Sequence, residues 1–247
     1  MSYLYNLILY QPLLNALIFF YQTIAFKDLG LAIIFLTVLI RLVLFPIFHK
    51  SAEHQMIMQQ LQPKLKKIQE EHKHDKERQV KATMELYKNH KINPFSGFFL
   101  LLVQLPVLIA LYQIFFNISK PEAFVGKFYS FIEAPANLGT IFLGLINLNE
   151  RSILMVVLAA IAQYFQGKLA LPKNQSEGED KAAKLGRQMV IVGPIITLVI
   201  FVNLPSAVSL YWLTTSIFSI FQQILINRKL NGKPGNIHQK TAGTHGF

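Results

Sequence analysis

Arg41 lies twelve residues into the stretch 29–48, which carries no other charge. Twenty such residues are long enough to span a bilayer as a helix. A guanidinium inside that helix costs at least ~2.5 kcal/mol even on lenient insertion scales. It therefore needs water, a partner or a function. Arg41 is seven residues from Phe48, about 10 Å of helix, so its side chain could also snorkel towards the nearer surface. Spacing alone leaves snorkelling and a buried site both open. Thr37, four residues earlier, shares the arginine's helix face. Other polar residues in apolar stretches include Gln104, Gln163, Ser209, Tyr211, Trp212, Thr214 and Thr215. Taken singly, each is the kind of residue that joins neighbouring membrane helices.

Familiar catalytic patterns are missing. The sequence holds no HExxH, no GxSxG, no phosphate-binding P-loop and no intramembrane carboxylate pair. His49 and His54 are five apart, a poor spacing for sharing a metal on one helix face. With no cysteine, disulfides, thiolate metal sites, thiol catalysis and a lipoprotein anchor are excluded. These residues predict neither an enzyme nor a cofactor.

The elements that must position Arg41 follow from composition. Hydrophobic residues make up 52% of 247 positions, including 20 Phe, against 15% charged, and they come in blocks. This predicts an all-α, polytopic membrane protein. Five spans are expected, at 29–48, 95–117, 152–169, 189–204 and 207–227. Gln163 and Gln166 fleck the third, and Gly193 with Pro194 is expected to interrupt the fourth. Such helices suit a thinned bilayer or a wet cavity, although kinked packing explains Pro194 equally well.

Basic residues set the orientation. Of 24 Lys and Arg, ten fall between 49 and 93, five around 168–187 and four after 226, whereas 117–151 holds three. The positive-inside rule places the first three groups in the cytoplasm. The segment 118–151 and the short link at Pro205 and Ser206 are then outside. Residues 1–28 lack the basic start of a secretory signal and are expected to be retained. Gln11, Asn15 and Gln22 on one face, with Pro12, favour an outer interfacial helix over a further span.

The cytoplasmic segment 49–94 repeats apolar residues at helical spacing, Met56, Leu61, Leu65 and Ile68 on one arm and Val80, Met84 and Tyr87 on the other. A polar HKHDKE cluster lies between, and Pro63 bends the first arm. This predicts a helical hairpin. Ten basic against six acidic residues there favour anionic lipid head groups. The tail 228–247 has no acid and is expected to be an extended basic segment able to meet RNA phosphates.

The blocks LGLAIIFLTVLIRLVLFPIFHK, MELYKNHKINPFSGFFLLLVQLPV, FLGLINLNERSILMVVLAAIAQYFQGKL and NLPSAVSLYWLTTSIFSIFQQ resemble successive signatures of the YidC-type membrane protein insertases. The resemblance runs from about Leu13 to Asn227. Its most specific parts are the arginine followed by FP, the MELYKNHKINPF entry to the second span, and LYW with a later QQ.

The resemblance implies a five-helix core around a hydrophilic groove, open to cytoplasm and lipid. Arg41 matches the groove arginine and Thr37 a groove position one turn earlier. Gln104, Gln163, Tyr211 and Trp212 match positions along the substrate path. Nascent membrane proteins are the implied substrates. A Sec translocon, the ribosome and signal-recognition machinery are further expected partners, through the hairpin and tail. A large outer domain and a lipobox cysteine, present in many members, are expected to be lacking, which implies a compact bacterial form. FSGFFLLL also departs from the Gly-Cys-Leu-Pro-like run of many members. A small transporter or channel, or an assembly factor that only holds other membrane proteins, are the competing classes; no inverted repeat is evident.

Overall fold

The computed structural model describes residues 3–93, 96–118, 120–135, 137–171 and 181–231. Among them the chain is helical apart from one two-stranded ribbon and short connections. Among the described residues three helices, Tyr3–Thr23, Ile153–Ala170 and Ser206–Arg228, are long and apolar enough to cross a membrane, and a fourth crossing arises if the bent pair Leu29–Val43 and Phe45–Met58 is counted as a single span. The fold is an all-α polytopic membrane protein.

Helix α1, Tyr3–Thr23, contains a π-helical turn at Asn6–Tyr10. Leu14, Leu17 and Ile18, all fully buried, recur at helical spacing and form its packed stripe. That stripe meets α2, Leu29–Val43, which buries Leu29, Ile33, Leu36 and Ile40. The same core takes Leu111, Ile114 and Phe115 from α6, Ser96–Phe116, and Leu210 and Tyr211 from α9, Ser206–Asn231.

Along the outside of α7, Ile153–Ala170, and α8, Lys181–Phe201, the pattern inverts. Ile153, Leu154, Phe165, Ile195 and Val199 are all more than half exposed. In water so much contiguous apolar surface would aggregate; in lipid it carries no such penalty. Small residues let these two helices approach. A Cβ on Gly167 would already touch Val190, and one on Gly193 would lie 3.2 Å from Gln163 Nε2. Pro194 lies inside a helix that continues through it, so it does not break α8.

The stretch 29–48 is two helices, not one. α2 ends at Val43, and α3, Phe45–Gln60, leaves at 67°. Pro46 supplies the reason: it has no N–H to give back to the preceding turn, and it is tolerated in the first turn of a new helix. After Leu61 come α4, Gln62–Glu71, with Pro63 in its first turn, and α5, Lys76–Asn89, whose start is capped by the Asp75 carboxylate accepting from Arg78 N. Met56, Leu61 and Leu65 are buried, whereas Val80 and Met84 on α5 are exposed.

At the opposite end lies a ribbon of β1, Ile141–Phe142, and β2, Ile146–Asn147, antiparallel with Phe142 facing Ile146. Asp28 joins it to α2: Oδ1 accepts from Leu31 N at 3.0 Å as the helix N-cap, and Oδ2 accepts from Leu143 N at 2.7 Å. Gly30 is glycine because a Cβ there would fall inside the Phe142 ring. Beyond the ribbon, Leu148 and Glu150 carbonyls accept from Ala207 N and Ser206 N at 3.0 and 2.8 Å, satisfying the first amides of α9.

The expected loop 170–188 falls partly outside the described residues, and the expected basic tail 228–247 does so almost entirely.

Candidate functional site

Arg41 sits in the last turn of α2 and is 3% exposed. Its neighbour there is α9, where Tyr211, Thr215 and Ser219 recur every fourth residue and so form one polar stripe. The guanidinium Nη2 donates to Ser219 Oγ and, at 3.4 Å, to the Thr215 carbonyl. Arg41 Cζ lies over the ring of Phe48, on α3 just past the bend, 4.2 Å from its centroid; Phe218 is 5.5 Å away. Two aromatic faces and a hydroxyl partly replace water around this charge.

The stripe continues upward to Tyr211, 1% exposed, whose hydroxyl accepts from Gln104 Nε2 of α6. Thr37 is as deeply buried, but its hydroxyl donates to its own helix, to Ile33 O at 2.6 Å. Its contribution is a satisfied polar wall one turn above Arg41, towards the ribbon, rather than a free donor.

Arg41, Gln104 and Tyr211 are thus gathered on α9. Gln163 and Trp212 are placed differently. Gln163 accepts from Thr197 across the seam of α7 and α8. Trp212 packs edge-on against Phe201 of α8, centroids 5.3 Å apart at 76°. Both residues hold α8 to the bundle.

Ser219 and Phe48 were not among the residues singled out from the sequence. A signal for Ser219 existed, the four-residue recurrence from Tyr211 through Thr215. For Phe48 there was none, since its contact depends on the bend at Leu44.

Several buried polar atoms have no hydrogen-bond partner among the described residues. Arg41 Nε, Gln104 Oε1, Ser209 Oγ, Trp212 Nε1 and Gln222 Nε2 are among them. Three of these five belong to α9. A dry, unpartnered polar group costs about 1 to 3 kcal/mol, so this concentration sets α9 apart from the apolar helices around it. Among the described residues, no group of three His, Asp or Glu could hold a metal ion.

An apolar-coated helical bundle with an arginine set against a polar-striped inner helix defines an integral membrane protein that keeps polar side chains of its own inside the bundle. Residues 19–233 match the model of the 60Kd inner membrane protein family, and the chain belongs to that family of bacterial membrane proteins. It is similar to proteins named membrane protein insertase YidC from three organisms. The Geobacter metallireducens protein is 32% identical over 221 residues, covering 89% of this chain and 37% of that protein. The Pelobacter propionicus protein is 34% identical over 223 residues, covering 90% and 39%. The Nitratidesulfovibrio vulgaris protein is 34% identical over 219 residues, covering 89% and 38%. The chain therefore spans less than two-fifths of the length of these relatives.

Proposed function

We propose that the protein is a membrane protein insertase, which accepts nascent membrane proteins at a hydrophilic groove carrying the Arg41 charge and releases their apolar helices sideways into lipid. The observation that carries this reading is the buried Arg41 guanidinium set against the polar stripe of α9, with unpartnered polar atoms beside it. Family membership supports it. Arg41, Thr37, Gln104 and Tyr211 line the substrate path in this reading, while Gln163 and Trp212 brace α8 beside it.

The work is physical and needs no covalent step. Polar atoms inside the bilayer shorten the apolar barrier that a substrate's polar outer tail must cross, and Arg41 holds acidic residues of that tail in transit. Burial of a substrate helix of about 20 apolar residues supplies the driving force. The membrane potential adds about 2.3 kcal/mol per charge per 100 mV for acidic tails moving outward.

In this proposal the chain crosses the membrane five times, with α3, α4 and α5 in the cytoplasm. Anionic lipids, the ribosome, signal-recognition machinery and the Sec translocon meet the basic cytoplasmic surface. Helix α1 lies on the outer face. Its support is a series of contacts with the segment 118–151: Asn15 Nδ2 donates to Lys127 O at 2.9 Å, Tyr21 Oη accepts from Gly139 N at 2.9 Å and Gln22 Nε2 donates to Glu133 O at 2.7 Å. A helix plunging through the bilayer would leave that segment behind after its first turns.

The test is reconstitution in liposomes with a single-spanning substrate that has a short acidic outer tail, read by protease protection. Insertion above empty liposomes that falls for Arg41→Ala is the expected result. Insertion indifferent to Arg41→Ala removes the arginine from the mechanism. No insertion by folded wild-type protein overturns the insertase reading in favour of a holding factor.

A further inference from the structure

Two turns beside the start of α2 carry the wrong residues for turns in water. In the first, Phe26 and Lys27 have φ of +52° and +62°; in the second, between β1 and β2, Leu143 and Gly144 have φ of +50° and +72°. The second is closed by Leu145 N donating to Phe142 O at 2.9 Å. Positive φ at successive positions is the geometry that asparagine, aspartate and glycine fill readily and that side chains with a bulky Cβ substituent resist. Here phenylalanine and leucine occupy it, and neither is buried in return. Phe26 is 89% exposed, Leu143 59% and Leu145 84%.

The turns are neighbours, joined by the Asp28 carboxylate to Leu143 N. Together with Ile141, 57% exposed, they present one apolar prominence at the end of the bundle opposite α4 and α5. The ribbon leads within one short connection into α7, whose first residues Ile153 and Leu154 are 71% and 58% exposed. Exposed Lys27 and Arg151 flank it, as cations do where a protein meets phosphate head groups.

We propose that Phe26, Ile141, Leu143 and Leu145 form a wedge bedded in the head-group and upper acyl region of the leaflet at this end of the bundle. Lipid is the occupant because the patch stands at one end of a polytopic membrane bundle, leads by a short connection into the exposed apolar start of α7, and is flanked by cations. It also explains the sequence: a residue that fits the backbone poorly and water poorly is retained where its side chain leaves water. The inference rests on the polytopic fold alone and is independent of whether the protein inserts substrates.

The chain has no cysteine, so Leu145→Cys gives a single thiol for an environment-sensitive fluorophore. The labelled protein would be placed in vesicles of phosphatidylethanolamine and phosphatidylglycerol and exposed to a spin-labelled lipid or to aqueous iodide. The expected result is severalfold stronger quenching by the lipid-borne label than by iodide, and the reverse order for a probe at Asn149→Cys. Strong iodide quenching at position 145 overturns the proposal, and so does shielding from both quenchers, which would place protein over the patch. As a second variant, Leu143→Asn suits the turn better, so the fold should survive while lipid quenching at position 145 falls severalfold.

Discussion

At the scale of single residues, Arg41 sets function against stability. A buried cation held by one hydroxyl, one long carbonyl contact and two rings recovers only part of its desolvation cost. Arg41→Met, which fills similar volume, is expected to unfold at the same or a higher temperature in detergent while losing insertion activity. Arg41→Lys keeps the charge but loses the guanidinium that lies over Phe48, so its insertion yield should fall between wild type and Arg41→Ala. Asp28→Ala should lower stability by about 0.5 to 2 kcal/mol through the lost cap, and Asp28→Asn by less; reversible unfolding in mild detergent compares them. Arg41 was legible because one charge in an apolar run is conspicuous. Its partner Ser219 was not, because a serine in a span is ordinary until α2 and α9 are known to be neighbours.

At the scale of elements, the α7 and α8 seam offers a measurable coupling. A double-mutant cycle of Gln163→Leu and Thr197→Val should return about 0.6 kcal/mol, and at most about 1.7, the range for hydrogen bonds between membrane helices. A value near zero would make Gln163 free for the substrate path. Gly30→Ala drives a methyl into the Phe142 ring, an overpacking of the kind that costs about 1 to 3 kcal/mol. Adding Phe142→Ala should restore much of that loss, which unfolding of the single and double variants would reveal. Long helices were legible because apolar blocks of bilayer length have few alternative explanations. The bend at Leu44 was not, since Pro46 fits either a kinked span or a new helix. The ribbon escaped because strands of two residues leave no alternation to detect, and its apolar residues read as part of a connection.

At the scale of the whole molecule, the charge asymmetry predicts sidedness. In sealed vesicles of known orientation, a cysteine at Glu77 on α5 should react with an impermeant thiol reagent from the cytoplasmic face only. A cysteine at Asn149 should react from the other face only. Identical labelling from one side would overturn the proposed topology. The two ends of the bundle also differ mechanically. Near the ribbon, α2 is pinned through Asp28 and α9 through the Leu148 and Glu150 carbonyls, so those helices share an anchored pivot. Helix α9 extends from it for 26 residues, about 39 Å at 1.5 Å per residue. Asn227 Nδ2, donating to Leu169 O at 3.1 Å, ties its far end to α7, so the two helices move as one arm: a swing of about 5° at the pivot carries the far tip through roughly 3 Å, the way tongs open widest away from their hinge.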